Sequence, residues 1–178
     1  VDIRPIRDAT DNSHFCEVHF HEVEVPASHL IGVRGDSFRQ IMRQMEHERG
    51  GIDRLVSNRR LYLDAVSSMT DRQRSDSRIR QTFASLESGY RIGRHMVLRE
   101  VLGQAPKGFS AVTKTWCTEF EQRVAEFCVD IAGADAMLAN RVSRCVGYAP
   151  AYSIMGGTTL ILRNIVGERL LGLPKDPR

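Results

Sequence analysis

Residues 43–55 read RQMEHERGGIDRL, and Glu48 is the position that most needs a reason. Phe38, Ile41, Met45, Ile52 and Leu55 recur at three- and four-residue spacing, which is one apolar stripe of a helix. Glu48 lies three residues after Met45 and four before Ile52, so it falls in the stripe and not on the charged face. A carboxylate placed there is desolvated, which is costly unless the group is paired or used. Two uses stand open. The structural one is a pair with Arg49 or with a neighbouring chain, or an outward drift of the stripe at Gly50–Gly51. The chemical one is a general base whose pKa burial has raised.

A second stretch, residues 152–173, reads YSIMGGTTLILRNIVGERLLGL. Gly156, Gly157, Thr158 and Thr159 stand where a helix should begin. Such a terminus offers free N–H groups and a partial positive charge, which suit a phosphate or a cofactor edge. A plain glycine turn with a threonine cap is the commoner meaning of the same pattern. His19 and His21 share one strand face, but no Cys or His cluster completes a metal set, so they read as solvent-facing. Cys16, Cys117, Cys128 and Cys145 show no CxxC spacing and read as reduced thiols of a cytoplasmic protein.

The elements that must position these residues follow from pattern. The opening VDIRPIR looks extended, DATDNS is a turn cluster, and HFCEVHF with VEVP forms an expected hairpin around His21–Glu22. A sheet this small cannot bury its own face, so residues 1–34 read as the last strands of a larger β-domain. From there the chain turns helical. One helix is expected from Asp36 to Ser67, and others at Asp76–Leu102, Ser110–Ala132 and, more weakly, Asp135–Cys145. A break is expected at Gly147–Pro150, and a last helix at Thr158–Leu171. Long helices with short links predict a mainly α fold, an antiparallel bundle over residues 35–178, which the resemblance below makes a four-helix one.

The 178 residues are 42% hydrophobic, enough for one sizeable core. Net charge is +3, with the basic residues dispersed and no aromatics interleaved among them. That argues against nucleic acid as a partner. No run of 18 apolar residues occurs, so no membrane partner is expected.

These stretches together carry a resemblance. YSIMGGTTLILRNIVGERLLGLP resembles the C-terminal signature of the acyl-CoA dehydrogenase family, which usually reads like YEGTSEIQRNIIAERVLGLP. HFCEVHFHEVEVPASHLIG is similar to the end of that family's middle β-domain. RGDSFRQIMRQMEHERGGIDRL resembles the first helix of its C-terminal four-helix domain. The three segments occur in the family's order and cover about a third of the chain.

The resemblance implies a flavoenzyme that removes an α proton and a β hydride from an acyl-CoA thioester, the hydride passing to FAD. In most members the base is the Glu of YEGT, and Gly156 stands at that position here. Some members place it instead on the first helix of the C-terminal domain, in a motif like H-E-R, which makes Glu48 the implied catalytic base. Arg49 matches a CoA-contacting arginine, flanked by Glu46 and His47, and Gly157 matches a substrate-contacting glycine. Thr158, Thr159 and Leu160 match the stretch that touches FAD, and Gly133 survives from a QxxGG motif on the adenine side. The family's RxxFG motif has no counterpart in SSMTDRQRSDSRIRQ. The resemblance further implies electron-transfer flavoprotein as acceptor, and a tetrameric assembly with identical or related chains. The chain itself is expected to be a C-terminal fragment, inactive alone, or one subunit of a split or heteromeric enzyme; the alternative is a non-catalytic helical subunit that only oligomerises.

Overall fold

The structure is a computed structural model that describes residues 1–175. Residues fall into two units, 1–44 and 45 onward.

In the first unit, β1 (Asp2–Ile6) pairs antiparallel with β2 (Phe15–His19), Ile3 opposite Val18 and Pro5 opposite Cys16. The turn between them is built by Asp8, whose Oδ1 accepts from the Thr10 and Asn12 amides at 2.8 and 3.2 Å. The expected hairpin therefore forms with the opening strand, and not between HFCEVHF and VEVP. Glu22 takes the φ of 45° that a turn would need, but no strand follows it to pair. Residues 23–26 stay outside any strand. Ile3, Phe15 and Val18 remain exposed on the strand pair.

The helix expected over Asp36–Ser67 is three pieces: α1 (Ser37–Arg49), α2 (Asp53–Val56) and α3 (Arg59–Ser68). Two causes are visible. Gly50–Gly51 interrupts the first junction, where a Cβ on Gly50 would collide with the Glu100 carboxylate. At the second, the Asn58 amide leaves the helical ladder and donates to Glu121 Oε2 at 2.7 Å. The apolar stripe breaks with the helix. Leu55 is buried, whereas Phe38, Ile41 and Ile52 are exposed.

A short α4 (Asp71–Ser75), unforeseen in the sequence, starts on a Thr70–Gln73 capping box. Helix α5 (Ser77–Val101) starts where expected, with Asp76 Oδ1 accepting from the Arg78 and Ile79 amides. It ends at Gly103, φ 66°, with the Gln104 amide returning to the Arg99 carbonyl and the Gly103 amide to Glu100.

Helix α6 (Ser110–Ala132) is the axis of the second unit, packed by α2, α3, α5, α7 and α8. Its predicted stripe is buried at Phe120, Val124, Phe127 and Ile131. A second stripe, Ala111, Lys114, Thr118, Glu121 and Ala125, is buried as well. Tyr62 and Leu86 close on it, Tyr90 meets Phe120 edge-on at 4.7 Å, and Trp116 stacks on Phe120 at 5.1 Å. Each such side chain contributes roughly 1.5–3 kcal/mol when fully buried.

After a 3-10 turn at Gly133–Met137, α7 (Arg141–Tyr152) starts on the Asn140 cap and runs straight through Gly147 and Pro150. The expected break is absent. Pro150 is near the end of the helix, so it removes a single ladder bond, and Ala149 beside it is buried. Gln122 on α6 donates to the Ala149 carbonyl at 3.2 Å and holds that end. Helix α8 (Thr159–Ile165), capped by Thr158, passes into a π-helical turn at Val166–Leu170 and stops at Gly172. No helix among the described residues is long and apolar enough to cross a membrane.

Candidate functional site

Glu48 and Arg49 occupy the last turn of α1, and the break at Gly50–Gly51 turns α2 back beside them. In one continuous helix, residues six apart would not share a face. Because of the break, Arg54 of α2 reaches the carboxylate, and its Nη2 donates to Glu48 Oε1. The expected desolvated Glu48 is thus corrected. Its side chain is 43% exposed and ion-paired, because the stripe that would have enclosed it does not continue past Arg49.

The turn at Gly156–Gly157 closes on the same carboxylate. Gly156 takes φ 65° and Gly157 φ 96°, backbone that disfavours any residue with a Cβ. A Cβ on Gly156 would stand 3.2 Å from Glu48 Oε2 and 3.4 Å from Arg54 Nη2. One on Gly157 would stand 3.2 Å from Arg49 Nη2. The two stretches that drew attention in the sequence, more than a hundred residues apart, therefore meet in space.

The turn is held from beneath by cations. Arg49, 6% exposed, donates from Nε to the Gly156 carbonyl at 2.9 Å. Lys114, fully buried in α6, donates from Nζ to the Gly157 carbonyl at 2.8 Å. Burial, reinforced by Arg54 and Arg49, pushes the Lys114 ammonium down to about 8, and Glu48 and Glu119 oppose that shift. Next to Lys114, the Thr113 hydroxyl donates to Glu100 Oε1. Burial raises the Glu100 pKa and the Thr113 hydroxyl counters it. The cluster thus sets three cations, Arg49, Arg54 and Lys114, around one paired carboxylate.

The remaining sequence candidates divide. Glu46 is half-buried and His47 exposed, both on the last turns of α1. The Thr158 hydroxyl accepts from the Ile161 amide at 3.3 Å. Leu160 is exposed, whereas Thr159 is buried and its amide bonds the Ser153 carbonyl. Gly133 caps the far end of α6, about 28 Å along that helix from Lys114. The structure does not bring it to the Gly156 turn.

Arg54 and Lys114 went unnoticed in the sequence. Lys114 carried a signal, since its three- and four-residue spacing to Ala111, Thr118, Glu121 and Ala125 marks a second buried face. Arg54 carried none, because its approach to Glu48 depends on the helix break.

Comparison with known proteins agrees with this architecture. The acyl-CoA dehydrogenase C-terminal domain family matches residues 35–171. The chain is 28% identical over 190 residues to acyl-CoA dehydrogenase IpdE1 of Mycobacterium tuberculosis (strain ATCC 25618 / H37Rv), covering all of this chain and 49% of that protein. It therefore spans about half the length of that relative. Among solved structures, the Tcur3481-Tcur3483 steroid ACAD G363A variant superposes with a TM-score of 0.87 at 20% identity, over 98% of this chain and 50% of that one. The ChsE4-ChsE5 complex from Mycobacterium tuberculosis does so at 0.79 and 16% identity, over 98% and 50%. This chain belongs to the acyl-CoA dehydrogenase family and carries its C-terminal helical domain.

Proposed function

We propose that the chain is the C-terminal part of an FAD-dependent acyl-CoA dehydrogenase in which Glu48 takes the α proton of an acyl-CoA thioester. The observation that carries this reading is the approach of Glu48 Oε2 to Gly156. The carboxylate lies 3.2 Å from where a side chain at 156 would begin, and 156 is the position that the resemblance matches to the Glu of YEGT. A base supplied from α1 in this way reaches the same spot from the other side of the turn.

Glu48 is fixed through Oε1 by Arg54, which leaves Oε2, on the Gly156 side, to receive the proton. Gly156 has no side chain to block that approach. Arg49 and Lys114 hold the turn's carbonyls and so fix its position relative to the carboxylate. A carboxylate held in place in this way supplies about two to four decades of rate as a general base.

Thr158 and Leu160 fit the expected edge contact with FAD. Thr158 keeps a hydroxyl donor beyond its capping role, and Leu160 presents an exposed apolar surface. Thr159 faces inward and fits a structural role. Gly133 meets nothing within 4 Å of an added Cβ, so its left-handed backbone is the reason for glycine there. FAD held along this edge would supply the acceptor for the β hydride. Arg49, buried on Gly156, acts on the CoA ligand through the turn.

The names of the superposing structures motivate two finer proposals. A ring-bearing, steroid-derived acyl-CoA is the first substrate class to assay, and a heteromer with a related chain is the first assembly to seek. Electron-transfer flavoprotein is the proposed acceptor, and the cytoplasm the proposed location.

The test is Glu48→Gln in the protein that carries the remaining domains. Flavin content and fold should persist while acyl-CoA-driven flavin reduction falls by about two to four decades. Near-normal reduction in that variant overturns Glu48 as the base.

A further inference from the structure

Lys114 is an expensive residue where it stands. It is one of three lysines in the chain and is fully buried in the second turn of α6. A buried ammonium is disfavoured by lost solvation, and here two arginines of the same sign stand nearby. Plain packing would be met better by an apolar side chain. In return the ammonium makes, among the described residues, one hydrogen bond, to the Gly157 carbonyl.

That bond is half of a paired arrangement. The preceding carbonyl, of Gly156, accepts from Arg49. Two consecutive carbonyls are thus drawn toward cations of the protein interior, and positive φ at both glycines permits it. The amides of Gly156, Gly157 and Thr158 then donate to no acceptor among the described residues. Glu48 Oε2 lies against the same turn.

We infer that Lys114 is a positioning residue: its ammonium, acting with Arg49, clamps the Gly156–Gly157 turn beside Glu48 in the carbonyl-inward conformation that leaves the turn's amides free. Its consequence for acyl-CoA rests on the function proposed above, whereas the clamp itself does not. The clamp depends on the charge of Lys114, and the groups facing that charge are Arg54 of α2, Arg49 and Glu48 of α1, and Glu119 of α6. With the ammonium pushed down to about 8, the clamp loses its charge just above neutrality while the arginine half persists.

The test uses this chain, isotopically labelled, with no ligand. The Lys114 Cε resonance and the Gly157 carbonyl carbon are followed between pH 6 and 10. Both should move together with a common midpoint near 8. Lys114→Met should remove the Gly157 transition, with helicity retained. A Gly157 carbonyl that ignores the Lys114 titration overturns the inference, and that arm needs no variant to fold. A Gly157 transition that persists in a folded Lys114→Met chain overturns it equally.

In the flavin-loaded full protein, Lys114→Met should lower the rate at saturating acyl-CoA about tenfold or more with the flavin spectrum intact. An unchanged rate overturns the positioning role. Retained flavin reduction by Glu48→Gln, in contrast, sinks the proposed base and leaves the clamp standing, so the two failures are distinguishable.

Discussion

Glu121 makes the folded chain sensitive to pH through a single buried carboxyl. It is fully buried in α6, with Oε2 accepting the Asn58 amide and Oε1 bonded to nothing among the described residues. Burial pushes its pKa from 4.5 up to about 8, against the opposing Asn58 hydrogen bonds. The unfolded chain releases this proton near 4.5 and the folded chain near 8, so below 4.5 the two states do not differ. Between those values the unfolded state is ionised while the folded state stays protonated, and stability falls as pH rises, by about 1.4 kcal/mol per unit. Above 8 the fall levels off. Over the whole window the loss is on the order of 5 kcal/mol, a large share of a domain's stability. Glu121→Gln keeps an acceptor for the Asn58 amide and cannot ionise. Urea denaturation followed by circular dichroism at pH 5, 6, 7 and 8 should show the variant close to the parent at pH 5 and increasingly more stable up to pH 8. A difference between the two that stays constant across this range refutes the buried, protonated carboxyl.

Gly156→Glu in the Glu48→Gln background should restore part of the acyl-CoA-driven flavin reduction, despite about 1–2 kcal/mol of strain from left-handed backbone. No recovery with an intact flavin spectrum means that the two positions do not converge. Gly89→Ala should lower the thermal midpoint, because its Cβ would enter the Phe120 ring, 2.8 Å from Cδ2. Overpacking costs about 1–3 kcal/mol, which outweighs the roughly 1 kcal/mol gained in helix propensity. A raised midpoint shows that the ring yields freely. Leu160, Ile161 and Leu171 are exposed near the end of the chain, so the isolated 20.1 kDa chain should elute from a sizing column above monomer size. A folded monomer at tens of micromolar refutes that.

Much of the fold was legible because local signals and burial agree. The Asp76 cap, the Gly103 stop and the unbroken stripe of α6 are short-range features, and those boundaries fell where the pattern put them. Glu48 and the Gly156–Gly157 turn could also be singled out by residue type and motif. Their meeting was implied by the resemblance alone and by no spacing, since it depends on α6 carrying Lys114 beneath the turn and on α2 turning back at Gly50–Gly51. Periodicity read α1 to α3 as one helix because each segment keeps helical spacing. The Asn58–Glu121 hydrogen bond that breaks it joins residues 63 positions apart. Pro150 misled for the opposite reason, because a proline's local penalty is small beside the burial of the helix face around it. The sequence by itself determined residue types, caps and apolar spacing, which are set by neighbours along the chain. Only the tertiary structure decided which charges face one another, because a lysine, two arginines and a glutamate spread over three helices acquire partners when packing brings those helices together.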